Sequence, residues 1–273
     1  MKRPDKQLGS KKQILRRLLN ELPISQSFSR AAEVLVFKTI KMEKPILDLG
    51  CGDGLFAETL FDGAKGAIKA GIDISSQEIE IASRRAVYQE VRAVDAAVLP
   101  YQDKSFATVF SNSSVEHMEN LEKVLSEAAR VLAPSGKFIF LVPHPATENF
   151  FLNKIILEKL KLPFLAKITV DFRHKIFKHY HLFDAFVWKK KLQLAGFDLV
   201  GYYFVGGERN RLIVDFFYPF FILGKFFKIL FNRWVFPPRW PIIFFAERFL
   251  IDFLPDKPTS HGPGLLMIAQ KRK

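Results

Sequence analysis

A chain of 273 residues, 49% of them hydrophobic, can fill a core as one large domain or as a domain with a sizeable insertion. Lys and Arg number 41 against 28 Asp and Glu, and the net charge of +13 suits an anionic partner, a membrane surface or nucleic acid, without choosing between them. The single Cys51 excludes an internal disulfide framework and points to a reducing compartment. The basic start Met1-Lys-Arg-Pro-Asp-Lys leads into Ile14-Leu-Arg-Arg-Leu-Leu19, too short and too charged for the apolar core of a signal peptide, so secretion is not expected.

Residues from about 11 to 42 read as one or two helices broken near Pro23, with Ala31, Val34, Leu35 and Ile40 at roughly helical spacing. They are expected to form an N-terminal cap over residues 1–44. Ile46-Leu-Asp-Leu-Gly-Cys-Gly-Asp-Gly54 then runs from an apolar strand into a glycine-rich turn, and Leu55-Phe-Ala-Glu-Thr-Leu60 looks helical. Alternating Gly50, Gly52 and Gly54 let the backbone take positive φ and let a ligand lie against main-chain N–H groups without meeting a Cβ. The helix after them would turn its N-terminal amides to the same crevice. Leu55 stands where a dinucleotide-binding loop needs its third glycine, which disfavours a nicotinamide cofactor.

Ala67-Ile-Lys-Ala-Gly-Ile-Asp-Ile74 reads as a second strand ending at Asp73, about twenty residues past the glycines, where an acidic side chain can accept hydrogen bonds from ribose hydroxyls. The competing reading, a cap shared with Ser75 and Ser76 for the next helix, is the weaker one after such a loop. Val91-Arg-Ala-Val94 gives a third strand with Asp95 and Ala96 at its end. Leu99-Pro-Tyr-Gln-Asp-Lys-Ser-Phe-Ala-Thr-Val-Phe110 gives a turn and a fourth strand, which leads into Ser111-Asn-Ser-Ser-Val-Glu-His-Met118. From Asn120, Leu121, Val124, Leu125, Ala128, Val131 and Leu132 share one helical face, ended by Pro134-Ser-Gly136, and Lys137-Phe-Ile-Phe-Leu-Val142 is a fifth strand. Strand and helix alternate throughout, as in a parallel sheet with helices on both sides.

The Asp48-Leu-Gly-Cys-Gly-Asp-Gly54 form resembles the first motif of the class I, Rossmann-like S-adenosylmethionine-dependent methyltransferases, in particular the type 11 methyltransferase domain family, and the later motifs follow in that family's order. The resemblance covers about residues 45–205 and the last strand. It implies a seven-stranded mixed sheet between helices, S-adenosylmethionine as cofactor, and transfer of its methyl group to an oxygen, nitrogen or carbon acceptor. It further implies that Asp48, Gly50, Cys51, Gly52 and Gly54 form the cofactor loop, that Asp73 and Ile74 hold the ribose end, and that Asp95 and Ala96 meet the adenine. Ser111 and Asn112 would meet the methionyl part. Glu116 and His117 resemble a Glu-His pair of relatives that include quinone-type O-methyltransferases. The earlier carboxylate of that pair's metal pattern is Ser113 here, so no metal is expected. Where the acceptor needs a base, His117 is the first candidate and His144, in Pro143-His-Pro145, the second; a structural role for His117 stays open.

Tyr180-His-Leu-Phe-Asp-Ala-Phe186 and Leu194-Ala-Gly-Phe197 resemble the family's late turn and helix. Arg173, His174, Lys175, Lys178, His179 and His181 make that region basic, and its histidines read as surface or substrate-lining. Asp198-Leu-Val-Gly-Tyr-Tyr-Phe-Val205 is a sixth strand and Gly264-Leu-Leu-Met-Ile-Ala269 the last, leaving residues 206–260 as an insertion and 261–273 as the last strand with a basic tail. Phe216 to Phe253 holds fifteen of the chain's aromatic residues, Phe236 among them. Leu212 to Phe231 is long enough to span a bilayer but is interrupted by Asp215, Pro219, Lys225 and Lys228. In the shorter Trp240 to Leu254, Ile242, Phe245, Phe249 and Phe253 share a helical face. With Arg233, Trp234, Arg239 and Trp240 between them, the two segments read as a hairpin docked on an anionic membrane, or as a lid or dimer contact. The favoured acceptor is accordingly lipid or lipid-linked, met by a cytoplasmic protein at the inner face of a membrane. A soluble small molecule or sugar is the alternative, and a non-catalytic scaffold of the same fold a further one. The spread of the basic residues points away from nucleic acid, and the sequence leaves the oligomeric state open.

Overall fold

The computed structural model describes residues 4–177, 180–231, 233–235, 239–255 and 257–273, and the side chains among them except those of residues 4–9, 150 and 173–177. Lys178, His179 and Phe236 lie outside these residues, as do the side chains of Arg173, His174 and Lys175.

The elements run α1 (Pro4–Glu21), α2 (Ile24–Phe37), β1 (Ile46–Leu49), α3 (Leu55–Leu60), β2 (Ile68–Asp73), α4 (Ser76–Ala82), β3 (Tyr88–Ala93), β4 (Phe106–Asn112), α5 (Leu121–Val131), β5 (Leu132–Pro143), α6 (Leu152–Lys159), α7 (Pro163–Phe177), α8 (Ala185–Leu194), β6 (Phe197–Val205), α9 (Glu208–Phe216), α10 (Tyr218–Phe231), α11 (Trp240–Phe245) and β7 (Gly264–Lys271). They fall into two compact, discontinuous units. One joins Met1–Thr39, Ala146–Phe172 and Val205–Pro263; the other joins Ile40–Pro145, Arg173–Phe204 and Gly264–Lys273.

The second unit is the seven-stranded sheet, in the order β3-β2-β1-β4-β5-β7-β6, with β1, β2, β3, β4 and β5 parallel and β7 antiparallel to β5. This is the expected mixed Rossmann-like sheet. Every residue of β1 is buried, as a central strand covered on both faces must be. Phe138, Phe140, Trp188 and Phe197 form a continuous aromatic cluster on one face, with α8 held there by Trp188. Two expected boundaries move. β3 begins at Tyr88 rather than Val91, and β5 begins at Leu132 rather than Lys137. The Pro134-Ser-Gly136 stretch does not separate helix from strand. It is an irregularity inside β5, where Ser135 takes φ 62° and the pairing with β4 shifts between Phe106 and Thr108.

Residues 146–172, expected inside a 45–205 core, and residues 1–39 of the expected 1–44 cap cluster with residues 205–263, which hold the 206–260 insertion, while residues 40–44 fall in the sheet unit. Buried polar ties explain this grouping. Asp215, read from sequence as a charge interrupting an apolar run, is buried, accepts from Leu152 N–H at 2.8 Å and pairs with Arg211 at 2.8 Å. Asn210 donates to the Phe28 carbonyl at 3.2 Å, and Lys11 Nζ to that of Leu254 at 3.0 Å. Arg239 reaches the carbonyls of Leu19 and Leu22, satisfying acceptors that the end of α1 leaves open. The apolar run from Leu212 to Phe231 is broken into α9 and α10 next to Pro219. The 14 residues of α10 make about 21 Å of helix at 1.5 Å per residue, short of the roughly 30 Å of a bilayer core. Among the described residues, no helix is long and apolar enough to cross a membrane. The face expected to unite Ile242, Phe245, Phe249 and Phe253 does not persist, because α11 ends at Phe245 and the chain passes through a π-helical turn, Ala246–Leu250, into a 3₁₀ turn, Ile251–Phe253.

In the sheet unit, Arg130 on the last turn of α5 fastens the turn before β4. Its guanidinium donates to the carbonyls of Leu99 and Tyr101, at 2.9 and 2.7 Å, and to the carboxylates of Glu127 and Asp103. Glu127 in turn accepts from Leu99 N–H at 2.7 Å. A lysine keeps the charge but not the fork. Arg130→Lys is expected to lower stability by about 2 kcal/mol, as a shifted urea midpoint at unchanged m-value, because two carbonyls lose their donors.

Candidate functional site

The glycine turn follows β1 and is fixed by one acceptor, the Ile72 carbonyl at the end of β2, which takes both Gly50 N–H and Cys51 N–H at 2.8 Å. Gly50 sits at φ 77°, and a Cβ there would stand 2.5 Å from Ser114 Cβ, so both the left-handed backbone and the close approach of the loop after β4 require glycine. Ser114 Oγ donates to the Gly50 carbonyl at 2.9 Å and ties the two loops together. Gly52, at φ 52°, differs: a Cβ there would meet no atom within 4 Å, so the backbone presents a bare face to open space.

Asp73, at the end of β2, accepts from Gly52 N–H through Oδ2 and from Ser75 N–H through Oδ1, both at 2.9 Å. Ser75 is the N-cap of α4. Both sequence readings of Asp73 therefore meet in one side chain: it shapes the start of α4, and each carboxylate oxygen keeps a further lone pair for a hydroxyl donor. Ile74 beside it is 78% exposed, an apolar side chain standing in solvent next to an acceptor pair. Asp95 is exposed, its Oδ1 accepting from Ala97 N–H at 2.8 Å, and Ala96 is buried behind it. Ser111 and Asn112, at the end of β4, are both buried, and Ser111 Oγ has no hydrogen-bond partner among the described residues.

Two expected members sit deeper than a ligand-facing role requires. Asp48 is buried beneath the loop, where its Oδ2 accepts from Tyr88 OH at 2.6 Å. Burial pushes its carboxyl up to about 7, the Tyr88 hydrogen bond opposes the rise and the neighbouring Asp73 adds to it. The Cys51 thiol is buried and driven well above its usual range by burial and by Asp48 and Asp73, so it fills space and does not react. At the start of α3, Leu55 N–H donates to Asp53 Oδ1 at 3.0 Å.

Tyr88 escaped the sequence reading. Its ring lies under the glycine turn so closely that a Cβ at Gly54 or at Gly71 would come within 2.8 Å of it. No glycine pattern reveals a wedge supplied from another strand; the signal was a lone aromatic at the start of β3.

Among the described residues, His117, His144 and His181 lie on or against the loops after β4 and β5. His117 is partly exposed on the short 3₁₀ turn Val115–His117, with Nε2 3.8 Å from Glu116 Oε1. The Glu116 carbonyl accepts from both Tyr180 N–H and His181 N–H, and His181 Nε2 lies 2.8 Å from the Met118 carbonyl. A carbonyl only accepts, so Nε2 carries the proton and a neutral His181 keeps its lone pair on Nδ1. His181, read only as surface or substrate-lining, thus anchors the turn that bears His117. His144, just past β5, packs edge-on against Phe204 at 5.3 Å, and burial lowers its pKa below the ordinary 6.5. Among the described residues, no three His, Cys, Asp or Glu side chains are grouped so as to hold a metal ion.

Residues 47–140 match the family model described as a methyltransferase domain. The chain is 40% identical over 111 residues to a 27-O-demethylrifamycin SV methyltransferase of Amycolatopsis mediterranei, covering 37% of this chain and 40% of that one. It is 37% identical over 131 residues to a demethylmenaquinone methyltransferase of Thermus thermophilus, covering 46% and 60%. It thus spans about half the length of these relatives. Among solved structures, a SAM-dependent methyltransferase of Thermotoga maritima superposes with a TM-score of 0.58 at 20% identity, over 91% of each chain, which shows the common fold.

The buried Asp48 carries a pH dependence whose sign is fixed. Its folded pKa of about 7 lies above the unfolded value near 3.8, so the stability it contributes is complete below about pH 4 and is lost as pH rises towards 7. Wild type is expected to lose up to about 4 kcal/mol of unfolding free energy from this group over that range. Asp48→Asn, which keeps an acceptor for Tyr88, should flatten that part of the curve in urea titrations and match or exceed wild type at pH 8.

Proposed function

With residues 47–140 forming a class I S-adenosylmethionine-dependent methyltransferase domain, we infer that this chain methylates a small-molecule acceptor of lipid or lipid-linked class, as a cytoplasmic protein working at the inner face of a membrane. The observation that carries the reaction is the bare face of Gly52 beside Asp73, a cradle in which a Cβ would occupy otherwise open space. The residues fit the cofactor in kind. Asp73 offers lone pairs to ribose hydroxyls, Ile74 an apolar surface for a base, Asp95 and Ala96 an acceptor and a backbone amide for an adenine edge, and Ser111 and Asn112 buried polar atoms for the methionyl end. Asp48 and Cys51 act from below, through the loop. S-adenosylmethionine supplies an electrophilic methyl group on a sulfonium.

Because that methyl group needs little activation, the chain's own task is positioning and exclusion of water, with a base only for an acceptor that arrives protonated. His144 suits that role through its lowered pKa, which leaves the imidazole neutral at pH 7. His117 and the Nδ1 of His181 are the other bases on these loops. A quinone acceptor, as in the name of the Thermus relative, favours an apolar substrate, and so does the aromatic insertion.

Calorimetry with S-adenosylmethionine tests the site. Wild type should bind at micromolar concentration; Asp73→Ala should lose about 10-fold or more in affinity through the missing hydrogen bonds to hydroxyls. Gly52→Val should abolish binding, since a β-branched residue resists φ 52° and its side chain enters the cradle. A folded wild type without affinity for the cofactor overturns the reading. With a lipid extract as acceptor source, His144→Gln should lower turnover about 10²-fold at unchanged cofactor affinity. The wild-type rate should rise with pH through a limb lying below 6.5, because the base must be deprotonated. Methyl incorporation confined to the water-soluble fraction would reject the lipid class.

A further inference from the structure

The polarity of α10 is inverted for a helix that faces water. It is held to its own unit along one narrow stripe, where Phe221 is buried and stacks on Trp234 at 5.8 Å. A Cβ at Gly224 would come within 2.7 Å of Pro23. Away from that stripe the exposed side chains are Phe220, Ile222, Leu223, Phe226, Ile229, Leu230 and Phe231, all apolar, with Ile229 at 74%. At 3.6 residues per turn they sweep an arc of roughly 200°. Lys225 and Lys228, which a solvated helix would hold outermost, are only half-exposed and fall outside that arc.

Two observations decide what covers this face. From Phe216 to Ala246 the chain carries four cations, Lys225, Lys228, Arg233 and Arg239, and no acidic residue. A second copy meeting this face symmetrically would bring like charges together, which costs free energy. The arc is also about twice as wide as the apolar stripe that one packed helix needs. A bilayer satisfies both conditions. Its hydrocarbon takes the wide arc, and its anionic headgroups attract the cations outside the arc, whose long stems can reach round the helix and carry their charged ends to the polar layer.

We propose that α10 lies flat in the surface of an anionic membrane, with Leu223, Phe226 and Ile229 inserted below the headgroups and Lys225, Lys228 and Arg233 facing lipid phosphates. The proposal rests on the reading of a membrane-borne acceptor and names the surface that would meet the membrane. Its test is co-sedimentation of the full chain with phosphatidylcholine vesicles, with and without phosphatidylglycerol. Wild type should sediment with the anionic vesicles, weakly with the neutral ones, and less as salt rises. Replacing Leu223, Phe226 and Ile229 together by Ser should weaken binding at least about tenfold. Lys228→Gln and Arg233→Gln should each cost about fivefold on anionic vesicles only. Leu194→Ser, which removes a still more exposed leucine from α8, should change nothing.

Equal sedimentation of wild type and the triple variant overturns the proposal. So does a wild-type dimer in light scattering that the triple variant converts to monomer without any vesicle binding. Cofactor titration of the same samples separates the two readings. A wild type that binds S-adenosylmethionine but no vesicles removes the docking surface and the membrane setting while leaving the methyl transfer; one that binds vesicles but no cofactor removes the reaction and leaves α10 as assigned.

Discussion

One carbonyl sets the geometry of the candidate site. Ile72 C=O takes the two consecutive amides of Gly50 and Cys51, and this bends the chain at the end of β1 back over β2. Once that turn is made, Gly52 N–H faces the carboxylate that ends β2, and Asp73 is committed both to the loop and to the start of α4. Tyr88 fills the space the turn leaves beneath it, and its hydroxyl gives the buried Asp48 a donor. Three neighbouring parallel strands thus contribute a turn, an acceptor pair and a wedge, and none of the three would hold its place without the others.

Much of this was legible in the residues. The order Asp48-Leu-Gly-Cys-Gly-Asp-Gly54, then Asp73, then Asp95 carries its own spacing, because a parallel sheet returns each strand end to one edge. The alternation of apolar strands with helical stripes was enough for a parallel sheet covered on both faces, while the count of seven strands and the antiparallel edge came from the resemblance to the class I methyltransferases. What the motif order could not convey was depth. Asp48 and Cys51 belong to the loop's sequence but lie under it, since successive residues of a turn point to different sides of the backbone. Tyr88 was invisible for the converse reason: its contribution depends on β3 being adjacent to β2, a long-range pairing that local pattern does not encode.

The other unit was harder to foresee. Read along the chain, Asp215 looks like an interruption of an apolar run and Arg239 like a cation at the headgroup level, yet both are consumed inside the unit: Asp215 by the distant Leu152 amide and by Arg211 one helical turn away, Arg239 by the carbonyls at the end of α1. Sequence reading assigns such charges to solvent by default, because burial of a paired charge is a property of the pair. The helical breaks also defeated a periodic projection. Ile242 and Phe253 share a face only on an uninterrupted helix, and the π-helical turn between them rotates the later residues away.

The inertness of Cys51 reaches beyond the loop it occupies. The chain's one thiol is buried, and burial with the neighbouring Asp48 and Asp73 drives its pKa well above the usual range, so thiol-directed reagents are expected to meet an exposed cysteine well before this one. A cysteine introduced at any exposed position would then be labelled ahead of it. A spin label or an environment-sensitive fluorophore could report from a chosen turn of α10 without first altering the turn that follows β1.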